Sequence, residues 1–185
     1  WTPGLDQAGR YTVGVRGTGL TKSSTVVLDV VDRFDDPQNV GPVDPARYVV
    51  EYGLPVFHLE PSPTINDDTH EPATLVYRGY KYRNVTAKYR GSTSAKYPKR
   101  SYTIRFDKQD RFVDREHGFR GAQRIVLTTT FDDNAYLRQR LAYELWNRLD
   151  PAHLPIRAFN AVVFVGGKYH GLYVVSDHID DDYLD

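Results

Sequence analysis

Neither cysteine nor methionine occurs among the 185 residues. Without cysteine there is no disulfide framework and no thiolate metal site, and the chain suits an oxidising space, where a stray thiol is a hazard. Methionine is missing even from position 1, so the chain is expected to be a piece of a longer, processed product. No run approaches the roughly 20 apolar residues that a membrane helix needs, and no N-terminal signal peptide is present. Net charge is lacking too, because 24 Lys and Arg balance 24 Asp and Glu. No global field draws the chain to nucleic acid or to a membrane, and nothing specifies an oligomer.

What is abundant is aromatic: 14 Tyr, 8 Phe and 2 Trp, beside many Val and Thr. Branched and aromatic side chains suit a pleated, half-buried surface, so the chain is expected to be mostly β. Charge is unevenly spread. Arg78 to Arg111 holds eleven Lys and Arg against two Asp (11 − 2 = +9), whereas Asp177 to Asp185 holds five Asp and no Lys or Arg.

Two β-rich runs, Tyr11 to Arg16 and Thr25 to Val31, flank a Gly-rich turn and read as a partial β module over residues 1–34. The stretch DDPQNVGPVDP then marks a linker, residues 35–46, with little to bury. The main domain is expected over 47–185. Within it, strands are predicted at Tyr52 to Leu59 and Ser101 to Phe106, a hairpin at Ala73 to Arg90 turning near Gly79, and another strand at Arg124 to Thr129. Asp107 to Gly121 reads as polar and turn-rich. Asn134 to Leu149 is the one convincing helix, with Leu137, Leu141, Leu145 and Leu149 every fourth residue and Asp132, Asp133 and Asn134 as capping candidates. Gly166-Gly167 is a strong hairpin signal between Arg157 to Val165 and Lys168 to Val175. The expected fold is α+β: an antiparallel sheet packed on one main helix.

The segment YRGSTSAKYPKRSYTIRF, Tyr89 to Phe106, gathers groups that hold phosphate. Gly91 permits a tight turn, Ser92, Thr93 and Ser94 offer donors, and Lys96, Lys99 and Arg100 add positive charge. A solvated Ser/Thr loop between strands accounts for the same composition. Strand alternation puts Arg100 on the face of Tyr102, Ile104 and Phe106, and Lys99 on the other. A guanidinium beside an apolar face wants an anionic partner, for which Glu144 on the predicted helix is the candidate. None of the six histidines sits in a ligand-like pattern, and the consecutive Asp180, Asp181 and Asp182 diverge unless a loop folds them inward, so no metal site is predicted.

Three blocks, YRGSTSAKYPKRSYTIRF, VLTTTFDDNAYLRQRLAYELWNRL and VVFVGGKYHGLYVVSDHID, occur in an order and spacing that resembles the CotH family of secreted atypical protein kinases, named for a spore coat protein. The likeness covers about Tyr48 to Asp185. It implies a kinase-like N-terminal lobe that binds ATP with Mg2+ or Mn2+ and phosphorylates Ser or Thr of secreted, surface or coat proteins. By that resemblance Arg90, Gly91, Ser92, Ser94 and Lys99 contact phosphates, joined by Arg100 where the family has Lys. Arg138 and Glu144 belong to the partner helix, and Ser176, Asp177 and His178 to an adenine-binding hinge, with Asp177 standing where Glu is usual. The family's catalytic and metal-binding aspartates lie around a Trp-Asp-x-Asp motif that does not occur in this sequence. They are expected beyond Asp185, which makes the chain an inactive fragment of a longer enzyme. Two other classes fit the residues alone: a non-catalytic coat or surface module on a kinase-like scaffold, and an extracellular β-rich module that binds carbohydrate or protein.

Overall fold

The computed structural model describes residues 9–16, 23–30, 43–180 and 183. They belong to two compact units, Trp1–Pro42 and Val43–Asp185. In the first, β1 (Gly9–Arg16) and β2 (Ser23–Val30) pair antiparallel, with Gly9 opposite Val30 and Arg16 opposite Ser23. Most of the predicted linker lies outside the described residues, as do Asp181 and Asp182.

The second unit opens with a two-residue strand, β3 (Val50–Glu51), turning into β4 (Leu54–Pro61). A hairpin of β5 (Glu71–Tyr77) and β6 (Tyr80–Arg90) follows, and then β7 (Ser101–Arg105). The small hairpin of β8 (Phe112–Asp114) and β9 (Phe119–Ala122) precedes β10 (Arg124–Thr128), the helix α1 (Arg138–Leu149) and a last hairpin, β11 (Ala158–Val165) and β12 (Lys168–Asp177). That hairpin turns on Gly166 and Gly167, whose φ of +58° and +73° only glycine adopts without strain at both positions of a tight turn.

These strands do not form the predicted sheet backed by a helix. In the order β11-β12-β10-β7-β6-β5-β4 they close into a seven-stranded barrel, because β11 also pairs with β4, in parallel, from Val56 beside Val162 to Leu59 beside Val165. The apolar run of β11 explains the closure. Phe159, Ala161 and Val163 point to the interior, while Val162 and Phe164 join Val56 in a second cluster outside, packed under Val43, Tyr48 and Leu54. A strand apolar on both faces is stable only when both are covered. His58 ties the outer cover down, with its Nε2 2.9 Å from the Tyr48 carbonyl.

The interior is a single aromatic-rich cluster around Phe57, Tyr77, Phe112, Phe119, Phe159 and Tyr173. Phe57 stacks on Tyr77 with ring centroids 4.2 Å apart. Phe112 and Phe119 come from the stretch predicted to be mere polar turns; both are fully buried, and β8–β9 exists to deliver them.

The helix starts later than predicted, at Arg138, and contributes no buried residue. Leu137, Leu141, Leu145 and Leu149 are 51, 59, 60 and 65% exposed. Polar side chains hold α1 instead: Gln139 Nε2 donates to Tyr143 Oη at 2.8 Å and to Thr128 Oγ1 on the barrel at 3.4 Å, and the Asn147 amide exchanges two hydrogen bonds with the Ile156 backbone. The barrel is complete without the helix, so its leucine stripe is not needed as a core.

Candidate functional site

The Ser/Thr loop leaves β6 at Arg90, paired with Ser101 of β7, and turns at Gly91, whose φ of +112° a side chain would strain. Ser92 precedes a short 3-10 turn, Thr93–Lys96, closed by the Tyr97 amide donating to the Ser94 carbonyl at 3.1 Å. Pro98 cannot donate to a ladder, and the chain re-enters the sheet at Ser101.

Lys99 then turns inward. Its ammonium donates to the Leu172 carbonyl of β12 at 2.7 Å and lies 4.6 Å from the centre of the Tyr173 ring and 5.8 Å from that of Tyr136. No carboxylate among the described residues pairs with this ammonium, and burial lowers its pKa to about 8. Arg100 goes elsewhere. Its guanidinium stacks 4.4 Å above Tyr89, and its carbonyl accepts from Tyr173 Oη at 3.0 Å. Glu144, the predicted acidic partner, bonds Arg148 one turn along the exposed helix at 2.5 Å. The structure does not bring Glu144 to either basic residue of the pair.

Ser94 and Arg138 do share one cavity. Both line a cavity of about 260 Å3 with Tyr97, Ser101, Thr128, Thr129, Thr130, Asp132, Asp133 and Gln139. Asp133 organises its edge: Oδ1 accepts from the Ala135 amide at 3.1 Å, and Oδ2 from the amides of Leu137 at 3.1 Å and Arg138 at 2.9 Å. These backbone donors, the Arg138 amide first, hold its carboxyl below the usual range. The Arg138 side chain points mainly to solvent, 3.7 Å from Asp133. Gln139 Oε1 is buried without a hydrogen-bond partner among the described residues.

The residues expected to form a hinge sit at the far end of β12. From Leu172 to Asp177 is five residues of strand, about 16 Å at 3.3 Å per residue. Ser176 is buried. Asp177 accepts from the Arg157 amide at 2.7 Å, from its Nε at 3.0 Å and from its Nη2 at 2.6 Å. His178 Nδ1 lies 3.1 Å from Asp180, which also pairs with Arg124. Burial lowers the His178 pKa, and Asp180 partly opposes this.

A cluster that sequence reasoning missed lies at the β8–β9 hairpin. The ligand atoms of Asp114, Glu116 and His117 fall within 4.8 Å of one another, close enough to converge on a metal ion. Their donors are already engaged. Asp114 accepts from Tyr77 Oη, from the backbone amides of Glu116 and His117, and approaches His117 Nδ1 at 2.7 Å; Glu116 pairs with Arg78 at 2.5 Å. A cation would have to displace Arg78 and the tyrosine proton. As built, the cluster is a latch between two hairpins. An Asp-x-x-His spacing was its only trace in the sequence.

A family model described as CotH kinase protein matches residues 87–185, from the middle of β6 through the Ser/Thr loop, α1 and the last hairpin. The chain belongs to the CotH kinase protein family. No curated protein matches it. In this CotH-family chain the matched residues include Lys99, the 260 Å3 hydroxyl-lined cavity and both strands of the Gly166-Gly167 hairpin. The parallel partner of that hairpin, β4, lies outside the match.

Proposed function

We propose that this CotH-family domain holds the phosphates of ATP, with Mg2+ or Mn2+, in the service of phosphorylating Ser or Thr of secreted, surface or coat proteins, the carboxylates of the chemical step lying outside the site described above. Lys99 carries the reading. A half-buried ammonium with one carbonyl acceptor and no carboxylate partner among the described residues retains donors for an anion, and reduced access to water strengthens each contact it makes. The Ser92 to Ser94 turn and Arg138 offer further donors next to the hydroxyl-lined cavity. Kinase chemistry asks little of a lobe beyond placing phosphates and neutralising their charge. Absence of cysteine accords with work in an oxidising compartment.

Thermal-shift titration of the chain with ATP and Mg2+ or Mn2+ tests this. Saturable stabilisation is expected, and Lys99→Ala should weaken binding by about 1–3 kcal/mol. Equal affinity in the variant would remove Lys99 from the phosphates. A second reading, a non-catalytic platform that binds a partner protein, draws on the exposed leucine face of α1; it predicts no nucleotide-dependent shift.

A further inference from the structure

At the open end of β10 and β12 lies a cavity of about 180 Å3 lined by Arg111, Arg120, Arg124 and Arg157 together with Asp177 and Asp180. Two of the four guanidiniums are neutralised, Arg157 by Asp177 and Arg124 by Asp180. Neither Arg111 nor Arg120 has a hydrogen-bond or ion-pair partner among the described residues. The lining therefore carries four cationic side chains against two anionic ones (4 − 2 = +2).

Two further groups point the same way. Arg124 Nε and the Tyr183 hydroxyl, both on residues of this lining, are buried and have no hydrogen-bond partner among the described residues. A buried donor without an acceptor costs free energy, so a site that gathers two of them beside two guanidiniums unpaired among the described residues suits a ligand made of acceptors. Tetrahedral oxyanions meet that demand, since forked guanidinium donors match their oxygen edges in pairs. Size narrows the class. At about 180 Å3 the cavity is smaller than the roughly 300 Å3 at which sites for drug-sized ligands begin, so it takes one anion rather than a nucleotide.

We propose that this arginine-lined cavity binds a small dianionic oxyanion of the phosphate type, either free phosphate or the phosphoryl group of a small ester, at a site separate from Lys99. Asp177 and Asp180 set the selectivity: they hold Arg157 and Arg124 in place and leave Arg111 and Arg120 to supply the net charge.

The test is a titration of the chain with inorganic phosphate, and separately with O-phosphoserine, at constant ionic strength, followed by phosphorus NMR line width and thermal shift. Saturable binding of either ligand is expected, the tighter one identifying the source. The double variant Arg111→Gln, Arg120→Gln, at two exposed positions, should bind at least about tenfold more weakly, whereas Lys81→Gln, Lys108→Gln, which removes the same charge at two exposed positions outside the cavity, should leave affinity unchanged. Both are made in the Lys99→Ala background, so that phosphate held by Lys99 does not enter the readout. Unchanged affinity in the arginine double variant, an equal loss in the lysine double variant, or a response that never saturates would each overturn the proposal.

Discussion

Lys99 is a cation placed where water is scarce, and its titration is coupled to folding. Its pKa of about 8 in the folded chain lies below its ordinary 10.5. Between those values the unfolded chain holds the proton and the folded chain does not, so the group adds stability as pH rises through that window, and its penalty is full below pH 8. Lys99→Met should therefore be more stable than the parent by about 2 kcal/mol at pH 7, the advantage shrinking by pH 10. Urea unfolding of both proteins at four pH values measures it; parallel profiles would show that the ammonium is not desolvated. Arg100 shows what alternation can and cannot predict. The strand period correctly puts Tyr102 and Ile104 inside, but it is silent on how a long side chain leaves its backbone, and Arg100 found the face of Tyr89 rather than a carboxylate.

At the scale of elements, α1 is inside out: leucines to solvent, Gln139 to the barrel and Asn147 to the loop before β11. Truncating the stripe should cost little. Leu141→Gln and Leu145→Gln are expected to stay within about 0.5 kcal/mol of the parent, whereas Leu127→Ala in β10 should lose about 2–5 kcal/mol. Denaturant midpoints decide it, and a large loss from the helix pair would mean that the stripe packs on something in solution. The strands and turns of the domain were legible because their cues are local: alternating apolar residues, the positive-φ pair at Gly166-Gly167, the turn near Gly79. The helix itself was legible for the same reason. What its stripe packs against was not, since a period of 3.6 reports an apolar face and never its partner. Phe112 and Phe119 were missed because strands of three and four residues are too short for a period to show among charged neighbours. The residues that line the hydroxyl cavity and the arginine cavity are scattered along the sequence, and the pairing of β10 with β7 and of β12 with β10 and β11 collects them.

For the whole molecule, closure rests on one seam, β4 against β11, running parallel while every other neighbouring pair in the ring is antiparallel. A closed ring has no edge at which to fray. Amides of Val56 to Leu59 and Val162 to Val165 should thus exchange with solvent as slowly as those of β7 and β10, and those of α1 much faster. Hydrogen exchange read by mass spectrometry or NMR checks the order; fast exchange at the seam would mean an open sheet. The seam also sets the tempo of folding. Its two strands come from opposite ends of the domain, and the hairpins between them can form from near neighbours in sequence. Joining β4 to β11 must await nearly the entire chain, since loop-closure entropy opposes it until the intervening strands have shortened the path. Before that step the partly folded domain carries two unpaired strand edges, both largely apolar, so its most aggregation-prone moment is the last one before the ring shuts.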